Sequence, residues 1–168
     1  MIALLRRTLI LATLAASLFP LGALAKGMVV VNDEVTLIVF RHADRDAGKT
    51  VLNATGVARA AALPAALEGH HIDAIYRPDI ARNLDTVTPL ALARGIDTHI
   101  IENFHMPDVL AKQAAGSVVV WVGNKDNLKR LWERIGASGE APLKYGDLFF
   151  VTFTAGASPE VVRKYFGQ

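Results

Sequence analysis

The chain has 168 residues, with 18 Lys and Arg against 16 Asp and Glu, and no cysteine. The missing thiols exclude disulfides, thiolate catalysis and cysteine-ligated metals. The charge balance gives no case for nucleic acid: without Arg6 and Arg7 the count is 18 − 2 = 16 basic residues against 16 acidic ones, with no basic run.

"MIALLRR" is short and positive, and "TLILATLAASLFPLGALA" follows as an uncharged apolar run ending in Ala23-Leu24-Ala25. That order describes a secretory signal peptide over residues 1–25, with cleavage after Ala25 and a periplasmic or secreted product. A retained membrane anchor is the alternative, because the apolar run is nearly long enough to span a bilayer. The remaining 168 − 25 = 143 residues, 26–168, suit a single domain.

Val35 to Phe40 is apolar and β-branched, as expected of a strand covered on both faces. "NATGVARAAALPAALEG" has helical spacing, with Asn53 or Thr55 as its cap and Pro64 expected to end or kink it about halfway. "IDAIY" reads as a strand, and "ARNLDTVTPLALARG" as a helix closed by Gly95. "DTHIIENF" contains a third strand, and "PDVLAKQAAG" reads as a helix that stops at Gly116. "SVVVWVG" is the second strongly buried strand. In "KDNLKRLWERIG" Leu128, Leu131, Trp132 and Ile135 share one helical face, with Asp126 a possible cap. "DLFFVTFTAG" and "VVRKYFG" close the chain as two strands, expected as a hairpin at a sheet edge. Alternating strands and helices make the class α/β with a largely parallel or mixed sheet. Ligands of such sheets bind beyond the carboxyl ends of central strands, which points to the loops after Phe40 and after Val122.

The first of these loops allows two phosphate-binding readings. "ADRDAGKT", residues 43–50, approaches a Walker loop, in which glycines let backbone N–H groups wrap a phosphate. Its first glycine is Ala43, however, and Asp44 and Asp46 would face a triphosphate. The capping signal also falls later, near Asn53, so Gly48-Lys49-Thr50 reads as a solvated turn. The other reading takes Arg41-His42 at the strand tip. "LIVFRHADR", "LNATGVARAAAL", "IDAIYRPDIARNLDTVTPLA" and "VVVWVGN", in that order, resemble the histidine phosphatase superfamily, also called phosphoglycerate mutase-like. The small exported bacterial branch is the nearest in pattern, and the resemblance runs from about Glu34 to Phe166.

The resemblance implies a three-layer α/β/α sandwich and makes His42 the nucleophile. Arg41-His42-Ala43 matches the family's Arg-His-Gly/Ala signature. Leu52 to Ala60 fits its Leu-Thr-x-x-Gly-x-x-Arg-Ala segment, with Asn53 in place of Thr. Arg82 and Thr86 fit Ser-x-x-x-Arg-x-x-x-Thr, with Pro78 in place of Ser. A neutral imidazole can attack phosphorus, splitting one hard displacement into two, while arginines clamp the equatorial oxygens. Arg41 and Arg82 are the expected clamp and Arg45 a third phosphate-binding cation. No metal or other cofactor is implied. The expected partner is a small phosphorylated substrate such as a sugar phosphate, with no nucleic acid and, after cleavage, no membrane. One departure matters: the family's second histidine should follow Gly123, where this chain has Asn124, which keeps a donor but is neutral and shorter. Glu102, after the third strand, is the candidate general acid; Asp44 is read as orienting Arg45 or binding substrate. His70-His71 is read as a surface pair and not a metal site, and His99 and His105 as structural. A phosphomonoesterase and a lapsed member that binds an anion without turnover are both open at this point.

Overall fold

The computed structural model describes residues 27–167, so the signal segment read at 1–25 lies outside the described residues. The chain alternates β1 (Thr36–Arg41), α1 (Ala54–Ala66), β2 (Ala74–Arg77), α2 (Ala81–Arg94), β3 (Thr98–Ile100), α3 (Met106–Leu110), β4 (Val118–Gly123) and α4 (Lys125–Ile135). It closes with β5 (Asp147–Thr152) and β6 (Glu160–Tyr165). The sheet order is β3-β2-β4-β1-β5-β6. The four strands from β3 to β1 run parallel, while β5 is antiparallel to both β1 and β6. The terminal pair is the expected edge hairpin.

The unbroken apolar runs of the central strands follow from burial on both faces. Leu37 and Val39 of β1, with Val119 and Trp121 of β4, pack beneath Met106, Leu110, Leu128, Leu131 and Ile135 of α3 and α4. Their alternates Ile38, Phe40, Val120 and Val122 pack against Leu63 of α1 and Val87 and Leu90 of α2. Side-chain alternation along a strand thus creates two cores and three layers. Among the described residues no helix is long and apolar enough to cross a membrane.

Local signals decide most helix ends. Asn53 caps α1 by accepting from Gly56 N–H at 2.9 Å, and Gly95 and Gly136 close α2 and α4 in the left-handed conformation. Three expectations need correction. α1 runs past Pro64 to Ala66: the ring removes one donor near the end, while buried Leu63 and Leu67 hold that turn on the sheet. α3 stops at Leu110 instead of reaching Gly116, because from Ala111 to Gly116 the chain has no apolar face to bury. The cap position of α4 is occupied by Asn124, and Asp126 lies inside its first turn.

Candidate active site

β1 and β4 are paired in register up to Arg41 opposite Gly123, so the two loops singled out in the sequence open side by side. His42 N–H donates to Gly123 O at 3.0 Å and carries the pairing one residue past the strand. The imidazole is 2% exposed, with Nδ1 2.8 Å from Ala43 O. A carbonyl only accepts, so Nδ1 carries the hydrogen and Nε2 keeps its lone pair. Burial, then repulsion by Arg41, Arg82 and Arg45, lowers the His42 pKa to about 4 against an opposing bond from Ala43 O. The ring is neutral at physiological pH.

Helix α2 is docked at this point by two bonds. Ala43 N–H donates to Thr86 Oγ1 at 2.9 Å, and Asn83 Nδ2 donates to Val122 O at 3.0 Å. The helix therefore presents Arg82, in its first turn, to the tips of β1 and β4. Arg82 Nη2 donates to Asn124 Oδ1 at 3.0 Å. Asn124 is fixed in turn by its backbone N–H, which donates to Asn127 Oδ1 at 2.7 Å. Lys125, next along, is exposed at the start of α4.

Arg41 donates to Leu143 O at 3.1 Å and to the Tyr145 hydroxyl at 3.0 Å, and its guanidinium lies 4.0 Å from the centre of the Tyr145 ring. Arg45 donates to the carbonyls of Asp46 and Lys49. Burial lowers the pKa of both Arg41 and Arg82, with Arg45 a further contributor to each. Nε of Arg41, Arg45 and Arg82 is buried and unpartnered among the described residues. Buried donors normally find acceptors. Three cationic groups around one neutral imidazole can attract a tetrahedral oxyanion.

The structure thus brings Arg41, His42, Arg82, Asn124 and Arg45 together. Glu102 shares no bond with the cluster among the described residues: its side chain is 84% exposed, 3.7 Å from His105 Nε2, in the wall of a separate cleft. Asp44 does not orient Arg45. It pairs with Arg59, Nε to Oδ2 at 2.5 Å, and Arg59 Nη1 also donates to Phe166 O and Gly167 O. Arg59 therefore ties the loop after His42 to the end of the chain. Gly56 permits this approach, since a Cβ there would stand 2.1 Å from Asp44 O. Gly48 sits at φ +75° in a turn and α1 starts only at Ala54, so "GKT" does not wrap a phosphate as a Walker loop does. His70 lies against Phe150 and His99 against Tyr76, with the rings tilted by 36° and 39°, and His71 pairs with Asp73 on the surface.

Tyr145 escaped the sequence reading. It lies 104 residues from Arg41 in a loop without a motif, and only the fold brings its ring to 5.8 Å from that of His42. Arg59 carried a signal, as the arginine of the Leu52–Ala60 segment.

Residues 37–105 match the family model of the histidine phosphatase superfamily (branch 1), a span that holds His42 and Arg82 and ends before Asn124. No curated protein matches the sequence. Among solved structures, the mycobacterial glucosyl-3-phosphoglycerate phosphatase in complex with inorganic phosphate superposes with a TM-score of 0.60 at 12% identity, covering 79% of this chain and 97% of its own. YhfR from Bacillus stearothermophilus gives 0.59 at 18% identity, over 77% of this chain and 96% of its own. SixA from Agrobacterium tumefaciens, a candidate phosphohistidine phosphatase, gives 0.58 at 20% identity, over 78% and 95%. The resemblance read from the motifs is thus met by a family match across that span and by the phosphoglycerate mutase-like fold across the described chain.

Proposed function

We propose that this chain is an exported phosphomonoesterase that passes a phosphoryl group from a small phosphorylated substrate to His42 and then to water. The observation that carries the reading is a buried, neutral imidazole whose Nδ1 hydrogen is committed to Ala43 O, with the charges of Arg41, Arg82 and Arg45 close enough to act on it. In the first step the Nε2 lone pair forms a bond to phosphorus and the ester P–O bond breaks. The leaving oxygen takes a proton, for which Glu102 is the proposed donor. Water then attacks phosphorus, the N–P bond breaks, a water proton returns to the carboxylate, and phosphate departs. Arg41, Arg82 and Arg45 hold the non-bridging oxygens throughout, and the scheme calls on no metal or cofactor. Export rests on the leader-like residues 1–25.

A second reading, an anion-binding protein without turnover, is favoured by one feature: Asn124 is neutral, and its Oδ1 already holds Arg82. The purified chain, assayed with p-nitrophenyl phosphate and sugar phosphates beside His42→Ala and Asn124→His, separates the two. Hydrolysis by the parent that His42→Ala abolishes supports the enzyme. Activity confined to Asn124→His supports the lapsed protein, and sequencing of the exported product should begin at Lys26.

A further inference from the structure

Beyond the carboxyl ends of β2 and β3 lies a cleft of about 440 Å³, within the range of small-ligand sites. Its walls are mostly apolar: Pro78 and Ile80 on one side, Ile100 and Phe104 on the other. Ile100 and Phe104 are 56% and 42% exposed, although both are large and apolar. Phe104 is held in place by Arg130 of α4, whose guanidinium lies 4.9 Å from the ring centre. Nothing in the fold itself needs these side chains to face solvent here.

The cleft adjoins the arginine cluster through both of its walls. Ile80 is the cap residue of α2, and Arg82, two residues on, donates to Asn124. On the opposite wall, Asn103 accepts from Asn127 Nδ2 at 3.2 Å, and Asn127 Oδ1 accepts the Asn124 N–H. Asn124 is therefore linked to the cleft's two walls, through Arg82 to the start of α2 and through Asn127 to Asn103. The strand order places the cleft over β3 and β2 and the imidazole over β4 and β1, on the same edge of the sheet. At about 4.8 Å between neighbouring strands, β2 lies roughly 10 Å from β1.

We infer that this cleft receives the leaving-group half of the substrate, and that the preferred substrates are phosphomonoesters of alcohols bearing an apolar ring or chain. The inference rests on the phosphomonoesterase reading for its direction, since it places phosphorus at His42. A bare polyol phosphate would leave Ile80, Ile100 and Phe104 wet, whereas an apolar ring or chain carried by the alcohol towards β2 would cover them.

Phosphonates test this independently of turnover, because their P–C bond is not hydrolysed. Calorimetry with the full chain should show 2-phenylethylphosphonate binding at least about tenfold more tightly than ethylphosphonate. Phe104→Ala and Ile100→Ala, both at exposed positions, should each remove most of that preference and leave ethylphosphonate affinity unchanged. Equal affinity for the two ligands, a preference that survives both substitutions, or no phosphonate binding at all overturns the inference. Phosphate-ester assays on the same preparations keep the two proposals apart. Phe104-dependent binding without hydrolysis sinks the enzyme reading and upholds the cleft, while hydrolysis without ring preference does the reverse.

Discussion

Acidification isolates the electrostatics of the site. In the folded chain His42 titrates at about 4, chiefly because burial penalises the imidazolium and then because Arg41, Arg82 and Arg45 repel it. Unfolded, it returns to its ordinary 6.5. At about 1.4 kcal/mol per pH unit the gap corresponds to about 3 kcal/mol. Between pH 6.5 and 4 the unfolded chain binds a proton that the folded chain refuses. Stability from this residue is therefore full above pH 6.5 and is lost as pH falls towards 4. His42→Asn removes the titrating group while other acid effects remain, so the difference between the two proteins is the quantity to measure. Urea unfolding at pH 7 and at pH 4 should show the parent losing about 3 kcal/mol more than the variant, roughly 10 °C in Tm for a domain of this size. An NMR titration of the His42 ring should show a midpoint near 4. For the same reason, on the proposed mechanism kcat/KM should persist through pH 5, because the proposed nucleophile is still unprotonated there. A midpoint near 6.5, or parallel losses in parent and variant, would refute this account of the site.

Two further substitutions probe its frame and its chemistry. Gly56→Ala gains about 1 kcal/mol of helix propensity, but its Cβ would meet Asp44 O at 2.1 Å and Asp44 C and N at 2.9 Å. That backbone stands two residues from His42 and cannot yield freely, so a net loss of about 1–3 kcal/mol in urea unfolding is expected, and a stabilised variant would contradict the close approach. Glu102→Gln should slow hydrolysis of alkyl monoesters on the order of 10²-fold or more and barely change p-nitrophenyl phosphate, whose leaving phenolate needs no proton. Equal effects on both substrates would remove Glu102 from the role of acid.

The fold was legible because its signals are local and repeated. Leu37 to Phe40 and Val119 to Val122 are apolar without a break, which only a strand covered on both faces explains. Arg41, His42 and Arg82 could be named because they sit at fixed offsets within motifs. The rest depends on long-range placement. Arg41 meets Tyr145 across 104 residues, and Arg59 meets Phe166 and Gly167 across 107 and 108. No spacing rule connects such pairs. Asp44 illustrates the limit well: the sequence set it beside Arg45, but the turn of α1 carries Arg59 to it instead. The cleft next to Asn124 was equally hidden, being built from the ends of two strands and the turn after β3.

Asn124 weighs less against catalysis than its position suggests. On the phosphomonoesterase reading the arginine clamp acts mainly through charge, and Arg41, Arg45 and Arg82 stand around His42 whatever occupies position 124. Electrostatic attraction of a phosphate dianion should therefore largely survive. A neutral amide in place of a histidine forfeits one preorganised and potentially charged donor, realised most fully in the transition state. Losses of that kind are on the order of 10²–10³ in rate. Acceleration of phosphate-monoester hydrolysis can reach about 10²¹, so such a loss diminishes an enzyme without abolishing it. Arg82 nonetheless has one arm of its fork engaged by Asn124 Oδ1 at 3.0 Å, and substrate must compete for that donor. The lost donor falls on kcat, whereas the competition for Arg82 weakens ground-state binding and raises KM. On the phosphomonoesterase reading the expected behaviour is therefore a slow enzyme with a raised KM.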